Sequence, residues 1–207
     1  GIDQTVCSGI AVRLSGTIGG TATSARWSGG SGSFSNASQL NTQYTPAANE
    51  TTVNLYLTTN TPGSCAAAKD TVVLYIVPTP AAPTLAGTTI CAGQSTTLSA
   101  TAPGGSYGWY NTATGGVAFG LGNSYSTPPL NNTQTYYVQT TIAGCSSSRT
   151  PVTVNVTPLP AAPTVANASI CTGNTASLTA TAPGGTYQWY DAASGDNLLT
   201  SNNVYAT

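Results

Sequence analysis

The chain has 207 residues, of which 40% are hydrophobic and only 4% are charged, and its formal net charge is −1. So few basic residues exclude the positive surface that nucleic acid or direct membrane attachment requires. The sequence has no His, which rules out a Ser-His-Asp arrangement, and its five carboxylates are scattered without a clear pair for glycoside hydrolysis. We therefore expect neither an enzyme nor a cofactor.

The first segment, residues 1–78, shows the alternation of β-strands. Its residues 52–58 read TVNLYLT, with Val53, Leu55 and Leu57 on one face and polar residues on the other. A period of two is typical of strands that bury one face. Trp27 is expected to lie in the core of this segment.

Two Pro-Ala-rich joints divide the chain. They read PTPAAPT at 78–84 and PLPAAPT at 158–164, and they separate segments 1–78, 84–158 and 164–207. Such sequences favour extended backbone and act as stiff spacers.

The second and third segments repeat each other at an interval of 80 residues. ATAPGGSYGWY in the second returns as ATAPGGTYQWY in the third. The Gly-rich stretch suits either a tight reversal or a ligand loop, and we favour the reversal. We expect Trp109 and Trp189 to be core residues, with Tyr110 and Tyr190 on the opposite face as the better candidates for an exposed glycan contact.

Frequent Gly, Pro, Asn and Ser breaks, with no stretch of helical period, predict an all-β fold. Units of 75–80 residues with about seven short strands fit tandem antiparallel β-sandwiches in an elongated array.

The five cysteines lack CxxC spacing, so a zinc or other metal site is not expected. Within each of the first two segments, one Cys precedes the second strand and another lies between the last two strands. This shared context predicts the disulfides Cys7–Cys65 and Cys91–Cys145, which would place the chain in an oxidising compartment.

Cys171 aligns with Cys91, and its partner would lie near position 225, past Thr207. The third segment matches the second only as far as residue 127, so we expect an incomplete sandwich that lacks its last two strands. Two explanations stay open: the chain is part of a longer protein, or another chain donates the missing strands.

The motifs ICAG, APGGSYGWYNTATGG, NTQTYYVQT and GCSSSRTPVTVNV in the second segment resemble the bacterial Ig-like modules of large secreted Bacteroidota proteins, of the gliding-adhesin or CHU_C-associated type. The third segment resembles the same module over its first 45 or so residues. The first segment, with VCSGIAVRLSGTIGG and NTQYTPA, resembles the PKD-like modules of such proteins.

This resemblance implies type IX secretion and a location at the bacterial cell surface. Tyr136 is expected to be a core aromatic residue. It is similar to the tyrosine that holds the corner before the penultimate strand of Ig sandwiches, so its hydroxyl is expected to bond to backbone. Asp70-Thr71-Val72 resembles the O-glycosylation sequence of Bacteroidota, which makes Thr71 a candidate acceptor.

The favoured function is a structural or adhesive repeat of a surface adhesin, filament or stalk. The alternative is a carbohydrate-binding module that serves a secreted enzyme. Expected partners are other modules of the same chain, surface glycans or further copies of the protein.

Overall fold

The computed structural model describes residues 1–60, 66–194 and 197–207, and within these ranges the regular structure is entirely β-strand. We call residues 1–77, 84–157 and 164–207 the first, second and third units. Among the described residues, no hydrogen-bonded sheet contains strands from two units. The prediction of an all-β chain built from successive sandwiches is confirmed.

The first unit is a sandwich of two sheets. One sheet has the order β1-β7-β6-β3 and the other the order β2-β5-β4. Its strands are β1 (Gln4–Cys7), β2 (Val12–Ser15), β3 (Ala25–Ser28), β4 (Ser33–Phe34), β5 (Asn41–Thr45), β6 (Thr52–Thr59) and β7 (Lys69–Val77).

Alternating residues from both sheets fill the space between them. Trp27 is 3% exposed, and Tyr44, Leu55 and Leu74 are fully buried. The alternation in β6 places its apolar residues on the inner face while Asn54 stays exposed. The apolar contacts of this face hold the two sheets together.

The second unit has a larger sheet and a two-stranded one. The larger sheet has the order β11-β10-β13-β15-β8, with β14 paired to β13, and β12 pairs with β9. Its strands are β8 (Thr88–Cys91), β9 (Thr97–Ser99), β10 (Ser106–Tyr110), β11 (Gly120–Leu121), β12 (Ser124–Ser126), β13 (Gln134–Ile142), β14 (Cys145–Ser146) and β15 (Thr150–Thr157).

The core of the second unit surrounds one tryptophan. Trp109 is fully buried, and its neighbour across the sheet, Val138, is buried as completely. Leu98 from β9 and Val154 from β15 belong to the same cluster.

The third unit contains smaller sheets. One has the order β16-β17-β20, and β18 pairs with β19. The strands are β16 (Thr164–Val165), β17 (Ser177–Thr181), β18 (Trp189–Tyr190), β19 (Leu198–Thr200) and β20 (Val204–Ala206).

The first strand of each of the first two units runs parallel to the last strand of that unit. Cys7 at the end of β1 lies opposite Val77 at the end of β7. Cys91 at the end of β8 lies opposite Thr157 at the end of β15. Each of these cysteines therefore sits where its unit passes into a Pro-Ala joint.

Candidate functional site

A disulfide crosses the joint between the first two units. Cys7 of β1 is bonded to Cys145 of β14, with a separation of 5.5 Å between the Cα atoms and 138 positions in sequence. Covalent closure of so long a loop restricts the unfolded chain. The bond ties together two sandwiches that share no sheet, and it indicates an oxidising environment.

The structure corrects the predicted pairing of Cys91 with Cys145. Cys91 lies opposite Thr157, at the end of β15, whereas Cys145 lies in the hairpin just before β15 begins. At about 3.3 Å per residue, the length of β15 separates them by roughly 25 Å. A disulfide needs Cα atoms within about 7 Å. The prediction failed because it placed the turn after the first strand beside the final hairpin, whereas β8 runs parallel to β15 and ends at the opposite end of it.

The predicted Cys7–Cys65 pair is also wrong. Cys7 is already bonded to Cys145, and Cys65 lies outside the described residues. Within the described ranges, Cys91 and Cys171 are exposed thiols without a partner.

A tight turn positions Cys145 for this bond. Ile142 pairs with Cys145 across a two-residue loop, and both loop residues have positive φ, 47° at Ala143 and 82° at Gly144. Such values at both positions are typical of the type I′ turn, whose twist matches that of the flanking strands. Cys145 itself is 3% exposed.

Two threonine hydroxyls attach the same hairpin to the joint. The Thr140 hydroxyl donates to the carbonyl of Ala81 at 2.8 Å, and the Thr150 hydroxyl donates to the carbonyl of Pro83 at 2.7 Å. Ser147 closes the hairpin through its hydroxyl, which accepts the Thr140 amide at 3.0 Å. Thr140 is fully buried, and the bond of its amide to Ser147 is shielded from water.

The repeated APGG motif forms the same reversal in both units. The Tyr107 hydroxyl accepts the amide of Ala102 at 2.8 Å, and the Tyr187 hydroxyl accepts the amide of Ala182 at 2.9 Å. Gly105 has a φ of 92°, and an added Cβ there would meet the carbonyl of Thr141 at 2.7 Å. The motif is thus a structural turn. Sequence reasoning missed the role of these tyrosines, although both copies keep a Tyr five residues after Ala.

The three tryptophans make the same kind of hydrogen bond. Their indole N–H groups donate to a backbone carbonyl 13 residues further on, at distances of 3.1, 2.9 and 3.0 Å. Trp189 is only half-buried, because β18 pairs with β19 alone among the described strands while the matching β10 has neighbours on both sides. The donor–acceptor pairs are Trp27–Leu40, Trp109–Gly122 and Trp189–Asn202.

Tyr136 is a core aromatic residue, as predicted, but it differs from the predicted corner tyrosine. Its side chain is buried, and its ring lies 5.4 Å from that of Tyr125 and 6.1 Å from that of Phe119. Its hydroxyl has no hydrogen-bond partner among the described residues, so it does not hold a corner. Tyr136 faces inward from the middle of β13 because that position belongs to the buried alternation of the strand. Tyr107 makes the turn-closing bonds instead.

The two tyrosines predicted as glycan contacts have different surroundings. The Arg149 guanidinium stacks over the Tyr110 ring at 3.3 Å and occupies one face of it. Tyr190 is 46% exposed and borders a groove of about 570 Å³ that is also lined by Pro160, Pro163, Tyr187 and Trp189.

A Gly-rich loop in the first unit encloses one tyrosine–glutamate pair. The Tyr44 hydroxyl accepts the amide of Gly32 at 2.8 Å and donates to the Glu50 carboxylate at 2.9 Å. Burial, then the bond to Glu50, raises the pKa of Tyr44 to about 12. Burial alone would raise the pKa of Glu50, but bonds from the Ser31 and Ala47 amides and from Tyr44 hold that pKa below its usual value.

Other expected features are placed as follows. Thr71 is exposed on β7, opposite Tyr56 of β6, and its glycosylation stays a prediction. Among the described residues, no group of three or more His, Cys, Asp or Glu side chains is placed to hold a metal ion. No helix suited to crossing a membrane occurs in the part of the chain that the structure describes.

A family model described as "Ig-like domain CHU_C associated" matches residues 80–158 and 160–207, which together are more than half of the chain. No curated protein matches the chain in sequence.

Among solved structures, the chain is similar to a three-domain Ig fragment of titin, domains I67–I69. That similarity has a TM-score of 0.47 and 12% identity, and it covers 99% of this chain and 84% of the titin fragment. Fibronectin(III)-like modules of CbhA from Clostridium thermocellum are similar with a TM-score of 0.42 and 14% identity, covering 75% of this chain and 90% of that one.

Proposed function

Because the chain belongs to the family of Ig-like domains described as CHU_C associated, we propose that it is a non-catalytic structural or adhesive repeat segment of a large secreted bacterial cell-surface protein. In this role the units hold other parts of the protein away from the cell, and the first unit serves as a PKD-like module. The observation that carries the proposal is the Cys7–Cys145 bond across the joint.

A spacer needs resistance to bending at its joints. The joint between the first two units is braced by the disulfide and by the bonds of Thr140 and Thr150 to its carbonyls. Pro80 and Pro83 of the joint are themselves buried against the second unit. A braced joint fixes the orientation of one unit relative to the next, whereas a flexible tether does not.

The scarcity of charge suits an extracellular setting. With only four Lys or Arg and five Asp or Glu, the surface is wetted mainly by neutral hydroxyl and amide groups. Repulsion and screening by salt therefore have little influence on how successive units sit.

Two measurements test this proposal. Antibodies against the chain should label intact, unpermeabilised cells of the native host, and small-angle X-ray scattering should give an extended particle under oxidising conditions. A compact particle, or labelling that requires permeabilised cells, would contradict it.

Carbohydrate binding is the second candidate, favoured by the groove beside Tyr190. That groove presents Trp189 and Tyr190 with two prolines, which is the apolar lining that sugar faces require. Against it, the matching Trp109 of the second unit is a fully buried core residue, and its strand β10 is paired with β13.

A glycan array separates the two functions. Binding that is lost in Tyr190→Ala and kept in Tyr110→Ala, whose ring Arg149 already covers, would favour the carbohydrate role. Absence of binding across the array leaves the spacer role as the function.

A further inference from the structure

The Cys7–Cys145 bond joins two positions that recur along the chain. The first position is the end of the opening strand, beside the last residue of the unit. Cys7 lies opposite Val77 there, and the amide of Ser8 donates to the Val77 carbonyl at 2.9 Å. The second position is the hairpin before the last strand, which holds Cys145 in the next unit along the chain.

Cys91 repeats the first position in detail. It lies opposite Thr157, and the amide of Ala92 donates to the Thr157 carbonyl at 2.9 Å. The turn after each cysteine is also the same, because Gln94 donates to the Cys91 carbonyl at 3.1 Å as Ile10 does to that of Cys7. Cys91 thus stands at the second joint as Cys7 stands at the first, and its thiol is exposed.

The residues of the second joint also occupy positions equivalent to those of the first joint. At the first joint, Ala81 and Pro83 contact the strands that carry and follow the Cys145 hairpin. At the second joint, the equivalent Ala161 and Pro163 line the groove of about 570 Å³ in the third unit. A hairpin equivalent to residues 134–157 would cover this groove and would bring its cysteine toward Cys91.

We propose that Cys91 forms a disulfide with the hairpin cysteine of the unit that follows it in the same polypeptide. Disulfides between consecutive units would then be the general rule along the array. Cys171 also begins such a turn, with a bond from the Asn174 amide to its carbonyl at 3.1 Å, so it holds the same position in the third unit. The rule concerns covalent connection and holds whether the array is a spacer or an adhesin.

Bond formation follows ordinary thiol–disulfide exchange with a protein disulfide of the oxidising compartment. The Cys91 thiolate attacks one sulfur of that oxidant, forms a mixed disulfide and releases the other sulfur as a thiolate. The hairpin thiolate then attacks the Cys91 sulfur, which completes the bond and releases the oxidant as a dithiol. Two thiols lose two electrons and two protons, and the oxidant gains them.

Bonds of this kind overlap along the chain. The loop closed between residues 7 and 145 contains Cys91, so a bond from Cys91 to the next unit closes a second loop that shares residues 91–145 with the first. Neither loop can be extended by a pulling force while the disulfides are intact. Disulfides inside single units would leave every joint open to extension.

Thiol labelling of the oxidised 207-residue chain tests the premise. We expect Cys91 and Cys171 to be labelled and Cys7 and Cys145 to be protected. In Cys145→Ser the newly labelled thiol should be Cys7, with Cys91 unchanged, and in Cys7→Ser it should be Cys145. Cys171→Ser is the control and should remove one label only. New labelling of Cys91 in Cys145→Ser would overturn the proposal.

Non-reducing peptide mapping of the protein from its native host tests the rule itself. The Cys91 peptide should be linked to a peptide of the following unit, and reduction of the whole protein should release no second chain. A Cys91–Cys145 link, a Cys7–Cys65 link, a free Cys91 thiol, or a link to a second chain would each overturn it.

Discussion

The Glu50 carboxylate accepts the hydroxyl of Tyr44 at 2.9 Å, and the same carboxylate accepts the amides of Ser31 and Ala47. A fully buried tyrosine is thereby joined to two loops at one end of the first unit. An added Cβ at Gly30, whose φ is 66°, would meet the Tyr44 hydroxyl oxygen, which explains a glycine at that place in the loop.

The pair makes the stability of the first unit sensitive to acid. Because the folded state holds the pKa of Glu50 below its usual value of 4.5, the contribution is present above that pH and is lost as pH falls through the lower, folded value. Glu50→Gln should remove this dependence and cost about 1–3 kcal/mol at pH 7.

Denaturant unfolding of wild type and Glu50→Gln, measured between pH 3 and 7 at intervals of about 1 pH unit, gives the pH dependence of the free energy of unfolding. Asp191→Asn, in an exposed turn of the third unit, is the matched control and should leave the first unit unchanged. Parallel acid profiles for wild type and Glu50→Gln would contradict the prediction.

The Tyr107 hydroxyl is predicted to protect the Ala102 amide. In Tyr107→Phe that amide loses its acceptor at 2.8 Å, and the loss of a partly buried hydrogen bond costs about 1–2 kcal/mol. We expect hydrogen exchange at Ala102 to become roughly tenfold faster, since 1.4 kcal/mol corresponds to that factor.

Tyr137→Phe is the control for this substitution. Tyr137 lies on β13 of the same unit, and its hydroxyl has no partner among the described residues. Equal exchange rates at Ala102 in wild type and Tyr107→Phe would show that the turn does not depend on the hydroxyl.

Replacement of the two equivalent tryptophans should have unequal effects. Trp109 is fully buried, so Trp109→Ala should destabilise the second unit by about 3–5 kcal/mol. Trp189 is half-buried, and Trp189→Ala should cost less than half as much in the third unit. Hydrogen exchange resolved by unit measures both, and similar losses would contradict the account.

The strands and their buried faces follow from local pattern. The alternation of Val53, Leu55 and Leu57 in β6 is enough to predict a strand with one inner face, because side chains on a strand alternate. The reversal at APGG follows in the same way from its glycines.

The pairing of the cysteines depends on which strands are neighbours, and spacing does not reveal that. The parallel partnership of β8 with β15 places Cys91 and Cys145 at opposite ends of one strand. The hydroxyl bonds of Thr140 and Thr150 to the joint also join residues more than 50 positions apart, and one Thr among many gives no local signal.

The most direct measurement of the covalent brace is the contour length of single molecules pulled from their two ends, with and without reductant. The Cys7–Cys145 bond keeps 138 residues out of the force path. At about 3.5 Å per residue, reduction should lengthen the unfolded chain by roughly 480 Å as one gain. Two separate gains of roughly 200 Å each would indicate bonds within single units. That result, or no gain at all, would contradict a disulfide across the joint.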